Sequence, residues 1–330
     1  MNYNTSLALA IPTYNRADLL DCCLAINVPL AKQFGVQIFI SDNGSTDQTQ
    51  EVVQRWLNEY PLIRYFRNEV CVDADDNFEK VLKYPETDYV WLLGDTYQIP
   101  EGAIEYFLNE LIEKNKSYDA VVFNLDEYTQ HIQDREYSDA NEVFENFCTL
   151  MTCISCLVFS KKLIQNGDFK RYKNTNFIHT GVIFEYLAKN KFHLFWIQSY
   201  SISGFKCHKA KKHVWAQTNR VFDIACHRWS AFVFSLPASY PLSTKYKVIG
   251  DFGTISGILT IRNLIHLRRI NLLNLSTYLK YKDDFKLTIK LPQYLIILVA
   301  IAPKFLLPVI RLFVSISSRI TKLFSKSNKD

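Results

Sequence analysis

Leu7-Ala8-Leu9-Ala10-Ile11-Pro12-Thr13-Tyr14-Asn15-Arg16 runs from consecutive apolar residues straight into a polar turn. A short apolar run without helical spacing reads as a strand buried on both faces, as a parallel sheet requires. Pro12 closes the run, and Asn15 suits the N-cap of a helical stretch over Arg16–Ile26. The same alternation continues outward. Val36–Ser41 is a second strand, and Ser45-Thr46-Asp47-Gln48 has capping-box form and opens a helix to about Glu59. Leu62–Phe66 is a third strand, Asp76–Tyr84 a short helix and Tyr89–Leu93 a fourth strand. Pro100–Lys114 is a helix with Pro at its start, and Ala120–Asn124 is a fifth strand. Strands alternating with helices at this spacing predict an α/β fold with a mostly parallel sheet.

Open parallel sheets bind ligands beyond the carboxyl ends of their strands. The residues at those ends are Pro12-Thr13-Tyr14-Asn15-Arg16, Asp42-Asn43-Gly44-Ser45, Gly94-Asp95-Thr96-Tyr97 and Asp126-Glu127. All are polar or conformationally special, and the predicted topology brings them to one edge.

The rest of the chain is less regular. Ile154–Phe159, Phe192–Ile197 and Tyr200–Phe205 are strand-like, Phe177–Lys189 is helical, and Lys206–His213 is a basic loop. Val214–Phe234 and residues 243–282 read as helical, with Gly250, Gly253 and Gly257 suiting close helix packing. Leu291–Ile310 is strongly apolar but is interrupted by Pro292, Pro303, Lys304 and Pro308, so it is a poor straight transmembrane helix. Beyond it Lys304, Arg311, Arg319, Lys322 and Lys326 fall on one helical stripe, opposite Phe313, Ile316, Ile320 and Leu323. A basic amphipathic helix of this kind lies in a membrane interface. The expected division is therefore 1–235, with halves 1–125 and 126–235, then a helical segment 236–285 and a membrane-associating tail 286–330.

Composition agrees. The 330 residues are 48% hydrophobic and 22% charged, which excludes wholesale disorder. The net charge of +5 hides a basic tail on a near-neutral body: from Lys286 onward eight Lys/Arg face one acidic residue. That is no general nucleic-acid footprint, and it calls for a local anionic partner such as membrane lipid. The 8 cysteines lack scaffold spacing and are expected as reduced thiols, with Cys153-x-x-Cys156 packed in the interior because no second pair follows to complete a zinc site. Leu7–Ile11 is too short for a signal-peptide core and has no basic flank, so the body is expected in the cytoplasm.

The strand-end residues resemble those of family 2 glycosyltransferases with the GT-A fold. The likeness covers about residues 6–125 and rests on Ile11-Pro12-Thr13-Tyr14-Asn15-Arg16, Ser41-Asp42-Asn43-Gly44-Ser45-Thr46-Asp47, Asn77-Phe78 at a helix start, and Trp91-Leu92-Leu93-Gly94-Asp95. Within the family the chain looks most like the abequosyltransferase-like branch, which works on bacterial surface polysaccharide such as O-antigen or capsule. The resemblance implies an inverting enzyme that moves a sugar from a nucleotide-sugar donor to a lipid-linked glycan acceptor at the cytoplasmic face of the inner membrane. Uridine diphosphate is the default donor nucleotide, and cytidine diphosphate is the alternative. The implied donor contacts are Pro12, Thr13, Tyr14, Asn15, Arg16, Asp42, Asn43, Asn77 and Asp95.

The chain also departs from the family pattern. Asp95 matches the first acid of the Asp-rich metal motif, but Thr96 and Tyr97 stand where further carboxylates usually help to hold Mg²⁺ or Mn²⁺. Lys206, His208, Lys209, Lys211, Lys212 and His213 offer cationic replacements over a leaving diphosphate. His179-Thr180 occupies the place of the usual acidic Glu-Asp pair, ahead of Leu187-Ala188-Lys189. His179 is therefore a candidate general base, with Asp126 and Glu127 as further candidates. These departures keep open a second function, a catalytically silent nucleotide-sugar binding protein that supports a partner transferase. A sugar-phosphate nucleotidyltransferase is disfavoured because no Gly-rich phosphate loop lies near the N-terminus.

Overall fold

Among the described residues nine strands form one sheet: β1 (Leu7–Thr13), β2 (Gln37–Asp42), β3 (Ile63–Arg67), β4 (Tyr89–Leu92), β5 (Tyr97–Gln98), β6 (Ala120–Leu125), β7 (Arg135–Tyr137), β8 (Leu157–Ser160) and β9 (Leu194–Gly204). The spatial order is β3-β2-β1-β4-β8-β6-β9-β5, with β7 on β9. The β3-β2-β1-β4 half and the β6–β9 pair are parallel, while β8, β5 and β7 run antiparallel to their neighbours. All residues of β1 are buried, as its unbroken apolar run requires of a central strand. The mostly parallel α/β sheet is thus the one expected. The computed structural model describes residues 4–109, 116–126, 128–129, 131–208 and 215–308.

The chain divides into two units, Met1–Lys212 with Leu236–Pro241, and His213–Ser235 with Leu242–Asp330. The first unit holds the sheet and helices α1 (Ala17–Gln33), α2 (Thr49–Glu59), α3 (Ala74–Lys83), α4 (Ala103–Leu108), α5 (Ala140–Phe147), α6 (Lys161–Asn166) and α7 (Ile178–Lys189). Local chemistry shifts several expected boundaries. Asn15 does not cap α1: it sits in the left-handed region at φ 50°, and its side chain turns to the next loop. Helix α2 starts at Thr49, because Asp47 rather than Ser45 receives its first N–H, at 3.1 Å. The two strand-like runs after residue 191 are a single strand, β9, whose pairing with β6 shifts register between Phe123 and Asn124.

The second unit is helical, with α8 (Trp229–Ser235), α9 (Leu242–Ile255), α10 (Ile261–Arg269), α11 (Leu275–Thr288) and α12 (Gln293–Ile301). Trp229 stacks on Phe252 at 4.4 Å within it. Gly253 allows the close approach of Leu259, whose side chain occupies the place a Cβ would take. The apolar stretch after Leu291 gives only α12, which stops before Pro303, and a short 3₁₀ turn at Lys304–Leu306. Among the described residues no helix is long and apolar enough to cross a membrane. Arg311, Arg319, Lys322 and Lys326, the expected basic stripe, lie outside the described residues.

Candidate active site

Register places the parallel strand ends side by side: Thr13 pairs with Asp42, and Asp42 with Arg67. The loops that follow are sewn to one another. The Asn15 N–H donates to Ser45 Oγ at 2.8 Å, and the Thr46 N–H donates to Asn15 Oδ1 at 2.7 Å. The Ala17 N–H, at the start of α1, donates to Asp47 Oδ2 at 2.9 Å. Gly44, at φ +75°, brings its backbone so close to residues 68–71 that any Cβ would crowd them.

Asp42 is fully buried, and both carboxylate oxygens are engaged. Oδ1 accepts from the Ser45 N–H at 2.8 Å, and Oδ2 accepts from the Tyr65 hydroxyl at 2.6 Å with Arg67 Nε at 3.6 Å. Burial, and then the hydrogen bond to Asp42, push the Tyr65 hydroxyl well above its ordinary range, so it stays protonated and donates. Asn43 exchanges hydrogen bonds with the Val72 backbone, its Nδ2 donating at 2.8 Å and its Oδ1 accepting at 2.9 Å. Asn77 Oδ1 accepts from the Ser41 hydroxyl at 2.7 Å and ties α3 to β2. Asp42, Asn43 and Asn77 thus commit these groups to holding the loops in shape.

Asp95 closes the cluster from β4. The Thr13 hydroxyl donates to Oδ2 at 3.0 Å, and Arg16 Nη1 donates to Oδ1 at 2.9 Å. Asp95 is buried, whereas the Arg16 side chain is about one-third exposed. The loop before Asp95 is fixed by the Gly94 N–H, which donates to Ser155 Oγ at 3.0 Å. The segment after it is fixed by Asn27 of α1, which donates to the Tyr97 carbonyl at 3.2 Å and accepts from the Ile99 N–H at 2.9 Å. Tyr14, in the loop after β1, has 44% of its surface exposed, its hydroxyl within hydrogen-bond reach of the Cys71 thiol.

The candidate bases sit in different surroundings. His179 is 2% exposed, its Nε2 lies 3.1 Å from the Thr152 carbonyl, and its ring meets the edge of Phe78. Nε2 therefore carries the proton, while Nδ1 is buried with no hydrogen-bond partner. Burial pushes the imidazole down to about 4, so it is neutral near pH 7. His179, expected as a candidate base, thus has one ring nitrogen on a backbone carbonyl and the other enclosed in the interior. Asp126 is exposed just past the end of β6, in the left-handed region at φ 44°. Glu127 lies outside the described residues, as do Lys209, Lys211, Lys212 and His213 of the basic loop. Lys206 and His208 are exposed, and between them Cys207 is disulfide-bonded to Cys22 of α1. That bond corrects the expectation of reduced thiols throughout. A separation of 185 residues carries no spacing signal, and only the fold brings the exit of β9 to α1. Cys153 and Cys156 are free thiols.

The residues present do not fit a metal held by protein carboxylates. Asp95 already faces the Arg16 guanidinium, Thr96 and Tyr97 bring no charge, and no group of three or more His, Cys, Asp or Glu among the described residues could hold an ion.

Residues 8–206 match the profile of Glycosyl transferase family 2. The chain belongs to this family. This family 2 glycosyltransferase is 40% identical over 91 residues to the abequosyltransferase of Salmonella typhimurium, a stretch covering 27% of each chain. It is 27% identical over 120 residues to the chondroitin synthase of Pasteurella multocida, covering 35% of this chain and 12% of the synthase. The alignments thus span about a quarter or less of those relatives' lengths. Among solved structures it is similar to S. aureus TarS 1-349 in complex with UDP-GlcNAc, with TM-score 0.55 and 13% identity over 86% of this chain and 84% of that one. It is also similar to the mannosyltransferase PcManGT of Pyrobaculum calidifontis in complex with GDP-Man and Mn²⁺, with TM-score 0.51 and 14% identity over 91% and 87% of the two chains. At such low identity these likenesses carry the fold, and that fold is the GT-A arrangement.

Sequence reasoning missed Tyr65, Arg67, Ser155 and Asn27. Arg67 ends a strand and was open to the same strand-end logic that found Asp42. The others act across the fold and leave no mark in local spacing.

Proposed function

We propose that this family 2 glycosyltransferase transfers a sugar, with inversion, from a nucleotide-sugar donor to a lipid-linked glycan acceptor in bacterial surface-polysaccharide synthesis. The observation that carries the reading is Asp95, held between Thr13 and Arg16 where the strand-end loops meet, with the exposed Tyr14 ring in the loop after β1. In this reading Tyr14 offers a flat apolar face to the base, and Asp95 meets the ribose or diphosphate. Arg16 answers the charge that grows on the departing diphosphate. Asp42, Asn43 and Asn77 hold the loops that shape the base pocket. Asp126 takes the proton of the acceptor hydroxyl. The acceptor oxygen bonds to the anomeric carbon as the bond to the diphosphate oxygen breaks, and the electron pair leaves on the nucleoside diphosphate.

The test is a thermal-shift panel of UDP-, GDP-, CDP- and dTDP-sugars, with and without Mn²⁺, followed by a transfer assay. One nucleotide is expected to stabilise the fold by mass action. If no nucleotide sugar stabilises it and none is turned over, the reading is wrong. A second reading, a silent nucleotide-sugar binding protein, is favoured by Thr96-Tyr97 and by the buried His179. Donor binding without transfer to any glycan acceptor would select it.

A further inference from the structure

We infer that the outer face of α12 is a docking surface for an anionic lipid bilayer. The inference deepens the lipid-linked reading above, but it stands on residues of the helical unit alone. The stretch Gln293–Ile301 contains no charged residue. Its inner side is packed, with Ile296, Val299 and Ala300 buried and the helix lying on α10 and α11. Its outer side is exposed among the described residues. Tyr294, Leu298 and Ile301, spaced by four and three on one stripe, are 62%, 54% and 49% exposed. Phe305, in the turn that follows, is 77% exposed. A helix face turned to water ordinarily carries charge at these positions, and a contiguous apolar stripe marks an interaction site.

Length and charge together choose the occupant. The 9 residues of α12 span about 14 Å, roughly half of a bilayer's hydrocarbon core, so the helix lies on the membrane and does not cross it. Residues 261–308 hold eight Lys/Arg against two Asp, and residues 309–330 add five against one. The preceding 260 residues have the opposite balance, with 25 basic and 30 acidic side chains. The apolar stripe therefore sits within the basic segment, and exposed Lys304 directly adjoins Phe305. Tyr294 adds an amphipathic ring suited to the headgroup level. A second copy of the chain fits less well, because pairing the same face would set two basic segments against each other. Anionic headgroups match that charge, and acyl chains match the stripe.

Flotation of the full chain with vesicles tests this without donor or acceptor present. The vesicles are phosphatidylcholine alone, or phosphatidylcholine mixed with phosphatidylglycerol, at low and high salt. Wild type is expected to float with the mixed vesicles and to weaken at high salt. The double variant Leu298→Glu/Ile301→Glu is expected to bind about tenfold more weakly or worse, as two aliphatic contacts are lost. Lys304→Glu weakens binding by about fivefold or more. Leu242→Glu, an exposed position on α9, serves as control and leaves binding unchanged. Unaltered melting of every variant shows that each still folds. The inference is overturned if wild type ignores both vesicles, or if the double variant floats like wild type. It is also overturned if the double variant loses only a dimer seen in solution. Nucleotide-sugar binding, measured separately, reports on the catalytic reading, so the two can fail independently.

Discussion

Asp75 offers a sharp test of how α3 is joined to the start of α7. This residue of α3 is fully buried and accepts from the Asn176 N–H at 2.9 Å and the Ile178 N–H at 3.4 Å, at the start of α7. Burial outweighs these bonds and raises its carboxyl from 3.8 to about 6. The folded state thus binds the proton more tightly than the unfolded chain. The favourable contribution of the protonated group is complete below about pH 4 and is lost as the pH rises through about 6. A carboxyl raised this far carries a penalty of about 3 kcal/mol once it is ionised at neutral pH. Asp75→Asn keeps the shape and one carbonyl acceptor but never ionises. Its melting point should equal that of wild type within a degree or so near pH 4, and exceed it by on the order of 6 °C near pH 8. Thermal unfolding of both proteins across this range measures the difference, in which the titration of every other group cancels. A variant less stable than wild type at the higher pH would refute the reasoning. The ionised carboxylate would then be worth more to the α7 backbone than its desolvation costs.

The other predictions concern the site directly. Asp126→Asn should cut sugar transfer by about 10²-fold or more while leaving donor affinity intact, as for loss of a general base. His179→Gln should lower the melting point yet leave the kcat of the folded enzyme within a few-fold, and measuring both variants side by side decides between the two bases. Arg16→Ala should weaken donor binding by about tenfold or more through loss of charge-assisted hydrogen bonds, and EDTA should leave wild-type donor affinity unchanged because Arg16 already faces Asp95. Calorimetric titration checks both statements. Gly181→Ala would push a Cβ into the ring of Tyr172, whose hydroxyl is bound to Glu185, and should cost about 1–3 kcal/mol in denaturant unfolding.

Much of the fold was legible because the signals were local. Seven buried residues in β1, apolar runs followed by polar turns, and helical spacing between them identify the parallel half of the sheet without any tertiary knowledge. Candidate donor-site residues followed from one rule, that ligands gather at strand ends, and Thr13, Arg16, Asp42 and Asp95 do converge there. The antiparallel strands β5, β7 and β8 were harder to read. Two are only 2 and 3 residues long, and β8 follows 3₁₀ turns that its apolar run conceals.

Sequence alone determined which residue types arrive at the strand ends and in what order. Only the tertiary structure decided how each is used. Asp42 and Asp95 look alike in a sequence as polar residues just past an apolar run. Yet one has both oxygens consumed by Ser45 and Tyr65, while the other is held by Thr13 and a partly exposed Arg16. Only the fold shuts both ring nitrogens of His179 into the interior, and only the fold brings Cys22 to Cys207. The physical reason is the same in each case. Backbone propensity and hydrophobic periodicity act over a few residues, whereas desolvation and hydrogen-bond partnership depend on atoms that the chain brings together from far apart.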